Sequence, residues 1–225
     1  MKPEAMSSIA GRSFFCSWSG GKDSCLALYH AMQQGGRPQC LFNMLTEDGQ
    51  SSRSHGLPKG LLEQQAQQLG LPIVFNAATW DQYETKFQET LRECRSQGIE
   101  NGVFGDIDVE SHREWCLRVC KAAGMGGFHP LWQRSRQELL REFIDLGFKA
   151  MIVVTQADKL GPEWLGRIID EPAMRELAKT GIDVCGELGE YHTLVTGGPL
   201  FKSELTFTRK EVVRDGGYWF LQLAP

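Results

Sequence analysis

A short apolar run, Phe14 to Trp18, leads straight into Ser19-Gly20-Gly21-Lys22-Asp23-Ser24, and a helical period follows at once. This strand–turn–helix order constrains the chain more than any other stretch. Adjacent glycines let the backbone turn sharply and approach an anion with no Cβ in the way. The amides behind them stand at a helix N-terminus, where unpaired N–H groups and the helix dipole favour negative charge. Lys22 adds a positive charge, Ser19 and Ser24 add hydroxyls, and Ser24 is the expected helix cap. Asp23 sits badly beside a phosphate unless it orients Lys22 or meets a magnesium ion. A Walker A loop is excluded, because there Ser or Thr directly follows Gly-Lys, and here Asp23 does. The bland alternative is a Gly-Ser turn with an exposed lysine, and the complete hexapeptide in this context argues against it.

The alternation continues. Ser24 to Gln34 carries Cys25, Leu28, Tyr29 and Met32 on one helical face, with Gly35 as the stop. Strands are expected at Cys40 to Leu45, Pro72 to Ala77, Val103 to Ile107 and Phe128 to Trp132. Helices are expected at Lys59 to Leu69, Gln82 to Gln97 and Ser111 to Ala123. The fold class is therefore α/β: a Rossmann-like, mostly parallel sheet with helices on both faces. Helix Arg136 to Leu146, strand Ala150 to Thr155 and helix Glu171 to Thr180 come next. A polar, glycine-rich stretch then precedes two alternating strands, Glu204 to Arg214 and Tyr218 to Leu223, joined by an Asp215-Gly216-Gly217 hairpin turn. The boundary falls near Gln133, giving a domain over 1–133 and a smaller C-terminal α/β domain over 134–225.

A chain of 225 residues with 41% hydrophobic and 23% charged residues has an ordinary globular composition and needs no disulfide or metal staple. Its net charge of −4, with no strongly basic stretch, weighs against a nucleic-acid partner. No apolar run approaches membrane-spanning length, and Met1 to Arg12 has no apolar core of signal-peptide length. Seven cysteines without a CxxC pair fit reduced thiols in the cytoplasm.

The second constellation is Cys185-Gly186-Glu187-Leu188-Gly189-Glu190-Tyr191-His192-Thr193. Glycine spacing argues for a loop that presents polar groups to a ligand. Glu187, Glu190 and His192 could bind an amine or ammonia, hold a metal, or perform acid–base work; a solvated polar loop is the alternative. Strand ends in such sheets carry ligands, which puts Asp106, Thr46 and Glu47 near a nucleotide.

The hexapeptide matches the signature of PP-loop ATP pyrophosphatases. Together with Gly186-Glu187-Leu188-Gly189-Glu190-Tyr191-His192-Thr193, the chain resembles the diphthine–ammonia ligase family. Further matches are Gly105-Asp106-Ile107, Pro130-Leu131-Trp132, Gly147-Phe148, Trp164-Leu165-Gly166-Arg167 and Gly198-Pro199-Leu200-Phe201, in order over nearly the whole chain. The resemblance implies an N-terminal ATP-binding domain, a C-terminal substrate-binding domain, and an acyl-adenylate held in the cleft between them. ATP with magnesium would adenylate a carboxylate, and ammonia would displace AMP. The nucleotide would be held by Ser17, Trp18, Ser19, Gly20, Gly21, Lys22, Asp23, Ser24, Thr46, Gly105 and Asp106, with Asp23 as the magnesium ligand. The substrate would meet His55, Trp132, Glu187, Glu190, Tyr191, His192 and Thr193, and Lys22, Asp23, Glu187, Glu190 and His192 would be catalytic. The acceptor would be diphthine on elongation factor 2 in an archaeon or eukaryote.

With 15 Gln and seven Cys, the chain reads like a mesophilic bacterial protein, which would act on another acceptor, such as one in cobalamin salvage. A tRNA-modifying PP-loop enzyme and a nucleotide sensor without turnover are the remaining alternatives. A homodimer stays open as the assembly. His112, Cys116 and Cys120 share a helical face, but a zinc site needs a further ligand, so packed core thiols are expected. His129 is expected to be a satisfied strand-end histidine, and Cys185 adjoins the second motif.

Overall fold

Strand–helix alternation yields parallel strands, because each helical crossover returns the chain to start the next strand in the same direction. The computed structural model describes residues 6–225. Its helices are α1 (Lys22–Gln33), α2 (Lys59–Leu69), α3 (Tyr83–Ser96), α4 (Glu110–Ala122), α5 (Arg136–Asp145) and α6 (Glu171–Thr180). The strands are β1 (Ser13–Ser17), β2 (Arg37–Leu45), β3 (Ile73–Ala77), β4 (Asn101–Val103), β5 (Gly126–Phe128), β6 (Lys149–Gln156), β7 (Tyr191–Gly197), β8 (Thr208–Asp215) and β9 (Tyr218–Ala224).

Two compact units share these elements. The first holds the described chain up to Ser19, Asp23–Ser52 and Leu71–Gln133. Its sheet runs β3-β2-β1-β4-β5, every pair parallel. This is the Rossmann-like α/β architecture expected from the alternation. Strand order reverses at β1, so the hexapeptide leaves the sheet at the switch point where such folds bind ligands. The core is aromatic and thiol-rich: Phe42 packs on Phe87 at 4.9 Å and on Phe15 at 6.1 Å between ring centroids, with Cys40, Cys94 and Cys120 buried among them. All seven cysteines are buried and none forms a disulfide. Burial pushes the Cys120 thiol up to about 12, and those of Cys16 and Cys25 also well up, which keeps these groups protonated.

The second unit holds Arg134–Pro225 and also takes in Gly20–Lys22 and Arg53–Gly70. Its antiparallel sheet runs β7-β6-β9-β8. β8 and β9 meet through Gly216 and Gly217, both at positive φ, as a two-residue hairpin needs. α5 starts where Ser135 accepts from the Glu138 amide, and α6 where Asp170 accepts from the Ala173 amide. Register shifts interrupt the β6–β7 ladder next to Lys149 and again between Ile152 and Val154.

Three expectations change. Apolar residues place the fourth and fifth strands too late: Phe104, Ile107 and Leu131 are buried, but by packing beyond the strand ends. The true β4 carries Asn101 and Gly102, and a Cβ on Gly102 would lie 2.6 Å from the Phe15 ring. The polar stretch read as a loop to Thr193 becomes strand at Tyr191. Ser24 is no cap; it lies inside the first turn of α1, which starts at Lys22.

Candidate active site

β7 is an edge strand, and its outward backbone groups are met within the second unit by the tip of the hexapeptide. The Val195 amide donates to the Gly20 carbonyl at 2.9 Å. Gln65, on α2 and fully buried, donates from Nε2 to the carbonyls of Gly20 (2.9 Å) and Val195 (2.7 Å). The Lys22 amide donates to Thr193 Oγ1 at 3.1 Å. Gly20 has φ +84°, a left-handed conformation open to glycine. At Gly21 a Cβ would run into the His55 ring and lie 3.2 Å from the Thr193 carbonyl. The glycines are thus demanded by the protein's own packing as well as by room for an anion.

His55 is held by the same strand. Its Nδ1 lies 2.8 Å from the Thr193 carbonyl, which can only accept, so Nδ1 carries the proton. Its ring lies 4.6 Å from that of His192. Lys22 is 5% exposed, and its Nζ stands 5.4 Å from the centre of the buried Tyr191 ring. Tyr191 is fixed by its hydroxyl, which donates to the Val184 carbonyl at 2.6 Å. Burial first, then the charges of His55 and Lys22, push the His192 imidazole well below its ordinary value.

The turn before β7 is built on Asp183. Its carboxylate accepts from the amides of Cys185 (3.1 Å) and Glu187 (2.8 Å) and pairs with Arg136 at 2.8 Å. Cys185 Sγ lies 3.1 Å from the Arg136 carbonyl. Glu190 is 5% exposed, and its Oε2 accepts from the Leu188 amide at 3.1 Å. In the second unit the structure therefore gathers Gly20, Gly21, Lys22, His55, Tyr191, His192 and Thr193, with Glu187 and Glu190 on the adjoining turn. Gln65 is the residue sequence reasoning missed; as one polar member of an amphipathic helix face it gave no distinguishing signal.

In the first unit, Ser17 ends β1. Trp18 is buried, its amide donating to the Phe42 carbonyl at 2.8 Å and its carbonyl accepting from Asn43 Nδ2 at 2.7 Å. The Ser19 and Ser24 hydroxyls lie 3.1 Å apart. A Cβ on Gly105 would sit 2.9 Å from the Asp23 carbonyl carbon and 3.0 Å from the Ser24 amide, so Gly105 lies directly under the start of α1. Thr46 is turned into its own turn, donating to Asp48 at 2.6 Å, and Glu47 is exposed. Trp132 lies under the Arg113 guanidinium at 4.5 Å. Asp106 faces Cys116 and His129.

Residues 13–127 match the Diphthamide synthase N-terminal domain, and residues 135–223 match the Diphthamide synthase C-terminal domain. The chain belongs to the diphthamide synthase family. Among its relatives, the diphthine--ammonia ligase of Homo sapiens is 29% identical over 220 residues, covering 87% of this chain and 82% of that protein. The Mus musculus diphthine--ammonia ligase is 28% identical over 231 residues, covering 92% and 86%. That of Schizosaccharomyces pombe is 29% identical over 217 residues, 87% of this chain but 36% of the longer yeast protein.

For this diphthamide synthase family member the neutral His192 has a measurable consequence. Above pH 6.5, its ordinary value, folded and unfolded states are both neutral there. As pH falls below that value, the unfolded chain takes up a proton that the folded chain refuses, so stability declines with acid. Denaturant unfolding at stepped pH should show this decline, and His192→Gln should flatten it. Equal slopes in the two proteins just below pH 6.5 would rule His192 out as the source.

Proposed function

We propose that this protein is an ATP-dependent ligase that activates a carboxylate as its acyl-adenylate and joins it to ammonia, releasing AMP and pyrophosphate. Family membership supports the amide-forming chemistry. The observation that carries the reading is the Lys22 amide held by Thr193 Oγ1, which brings the Gly20–Lys22 tip of the phosphate-type loop and the Glu–Leu–Gly–Glu–Tyr–His–Thr motif into direct contact within one unit.

The loop fits a polyphosphate: adjacent glycines, a helix N-terminus behind them, and the buried cation of Lys22. Magnesium binds through one or two carboxylates plus phosphate oxygens and water. Asp23, in the first turn of α1, would be its protein ligand, and the ion would offset phosphate charge.

In the first step a carboxylate oxygen of the acceptor attacks the α-phosphorus. The bond to the bridging oxygen breaks, and pyrophosphate leaves with that electron pair. The Gly20–Lys22 segment holds the departing phosphates. In the second step the ammonia nitrogen attacks the acyl carbon, AMP leaves with the C–O pair, and the nitrogen sheds one proton. His192, kept neutral by its surroundings, is the base that takes it. Glu187 and Glu190 supply negative charge to draw in ammonium, which gives up one proton to solvent before it attacks as ammonia. Within the second unit, His55, Tyr191 and Thr193 would position the acceptor; within the first, Ser17, Trp18, Ser19, Ser24 and Gly105 are the residues proposed for the nucleotide and Trp132 for the acceptor. The acceptor we propose is the diphthine side chain of elongation factor 2, which the relatives' names support; the site of action is the cytoplasm. Among the described residues no helix is long and apolar enough to cross a membrane.

Incubation with ATP, magnesium, ammonium and diphthine-bearing elongation factor 2 should give AMP, pyrophosphate and amide in equal amounts. Parallel incubations with other carboxylate acceptors separate the reaction type from the acceptor. ADP and inorganic phosphate as primary products would remove the protein from AMP-forming ligases.

A further inference from the structure

Within the first unit, the side chains of Asp106, Cys116 and His129 converge, with His112 beside Asp106, a grouping that the ligase chemistry does not require. Asp106 lies on the segment after β4, His129 directly follows β5, and His112 and Cys116 stand one turn apart on α4. Cys116 Sγ lies 3.5 Å from Asp106 Oδ2, and His129 Nε2 lies 3.5 Å from the same oxygen. One ligand atom from each of Asp106, Cys116 and His129 falls within 4.8 Å of the others. His112 Nδ1 is 3.9 Å from Asp106 Oδ1.

The two 3.5 Å separations are those of a coordination shell; the third pair, within 4.8 Å, and His112, beside the other Asp106 oxygen, would draw in on the ion. Zinc bonds of about 2.0–2.3 Å in a tetrahedron put neighbouring ligand atoms about 3.3–3.8 Å apart. The expectation that His129 is a satisfied strand-end residue does not hold: its side chain is 1% exposed, yet neither ring nitrogen has a hydrogen-bond partner. A buried imidazole with no hydrogen bond at either nitrogen, and only the Asp106 carboxylate near Nε2, needs a further partner. The further ligands thought missing from the His112–Cys116 helical pair come from Asp106 and His129. Cys120 is not among them; it packs in the core.

We propose that Asp106, His112, Cys116 and His129 bind a borderline divalent transition-metal ion, zinc by preference. The mixed N, S and O donor set suits such an ion better than magnesium or calcium. Charge closes as well: one thiolate and one carboxylate balance a dication, and the imidazoles stay neutral. Binding releases the Cys116 proton as the sulfur–metal bond forms, and the carboxylate exchanges that S–H donor for the ion. His112, 60% exposed on its side chain, closes the shell from the surface. The ion would fasten the segment that carries Gly105, which packs under Asp23 and Ser24, to α4 and to the end of β5.

The test needs neither nucleotide nor turnover, so its failure leaves the ligase reading untouched. Chelator-stripped protein is titrated with Co²⁺ alone. We expect one equivalent to bind with a thiolate-to-cobalt charge-transfer band in the near ultraviolet, and Zn²⁺ to displace it. Cys116→Ser should remove that band, and Cys120→Ser, one turn on, should keep it. His112→Ala changes an exposed position and should keep the band while weakening Co²⁺ binding about tenfold or more. No band in the wild type, or a band that survives Cys116→Ser, overturns the proposal. Should Cys116→Ser fail to fold, unchanged Co²⁺ affinity in His112→Ala overturns it instead.

Discussion

Replacing Lys22 by Ala is expected to lower kcat/KM for ATP by about 100-fold or more, the loss of roughly 3 kcal/mol when a charge-assisted contact to phosphate disappears. The side chain is 5% exposed and lies over the Tyr191 ring, so its position is set before any nucleotide arrives. The backbone contact from its amide to Thr193 does not depend on the side chain, so the loop itself should keep its path. Circular dichroism of the variant should be unchanged, while calorimetric ATP titration and pyrophosphate release should both fall. Wild-type binding and turnover in Lys22→Ala would sink the phosphate-loop assignment.

Changing the second motif should separate the two half-reactions. Glu190→Gln and His192→Ala are expected to leave ATP affinity within about twofold of wild type, yet cut amide formation by about 10²–10⁴, the range for a positioned acid or base. In His192→Ala the acyl-adenylate should still form, because the proton assigned to His192 is released only when nitrogen attacks. Exchange of labelled pyrophosphate into ATP should therefore persist while amide is lost. Loss of that exchange together with the amide would move His192 to the first step.

Much of this was legible in the sequence, for identifiable reasons. α2 and α6 have the predicted bounds, because each has a clean apolar period and a glycine stop, Gly70 and Gly181, at positive φ. The parallel sheet followed from alternation alone. β7 was not legible: its first residues, Tyr191, His192 and Thr193, are the polar groups of the motif, and its neighbours are the hexapeptide tip and His55 rather than a second strand on that side. β4 and β5 were displaced because buried glycine and asparagine let them pass beneath large neighbours, which a hydrophobic pattern cannot register. The grouping of Asp106 and His129 with Cys116 depends on strand order, which brings β4 and β5 side by side.

The edge of β7 has a consequence beyond chemistry. An uncovered sheet edge is a ready template for pairing with another chain. Here that rim is occupied by Gly20, Lys22, His55 and Gln65, and the strand behind it carries the fully buried Leu194 and Val195. Lengthening the hexapeptide, or loosening its hold, would lay bare an adhesive strip of backbone flanked by aliphatic side chains. The residues proposed to grip phosphate thereby also cover an edge on which copies of the protein would stick to one another, so solubility and the proposed catalysis press on the same few positions.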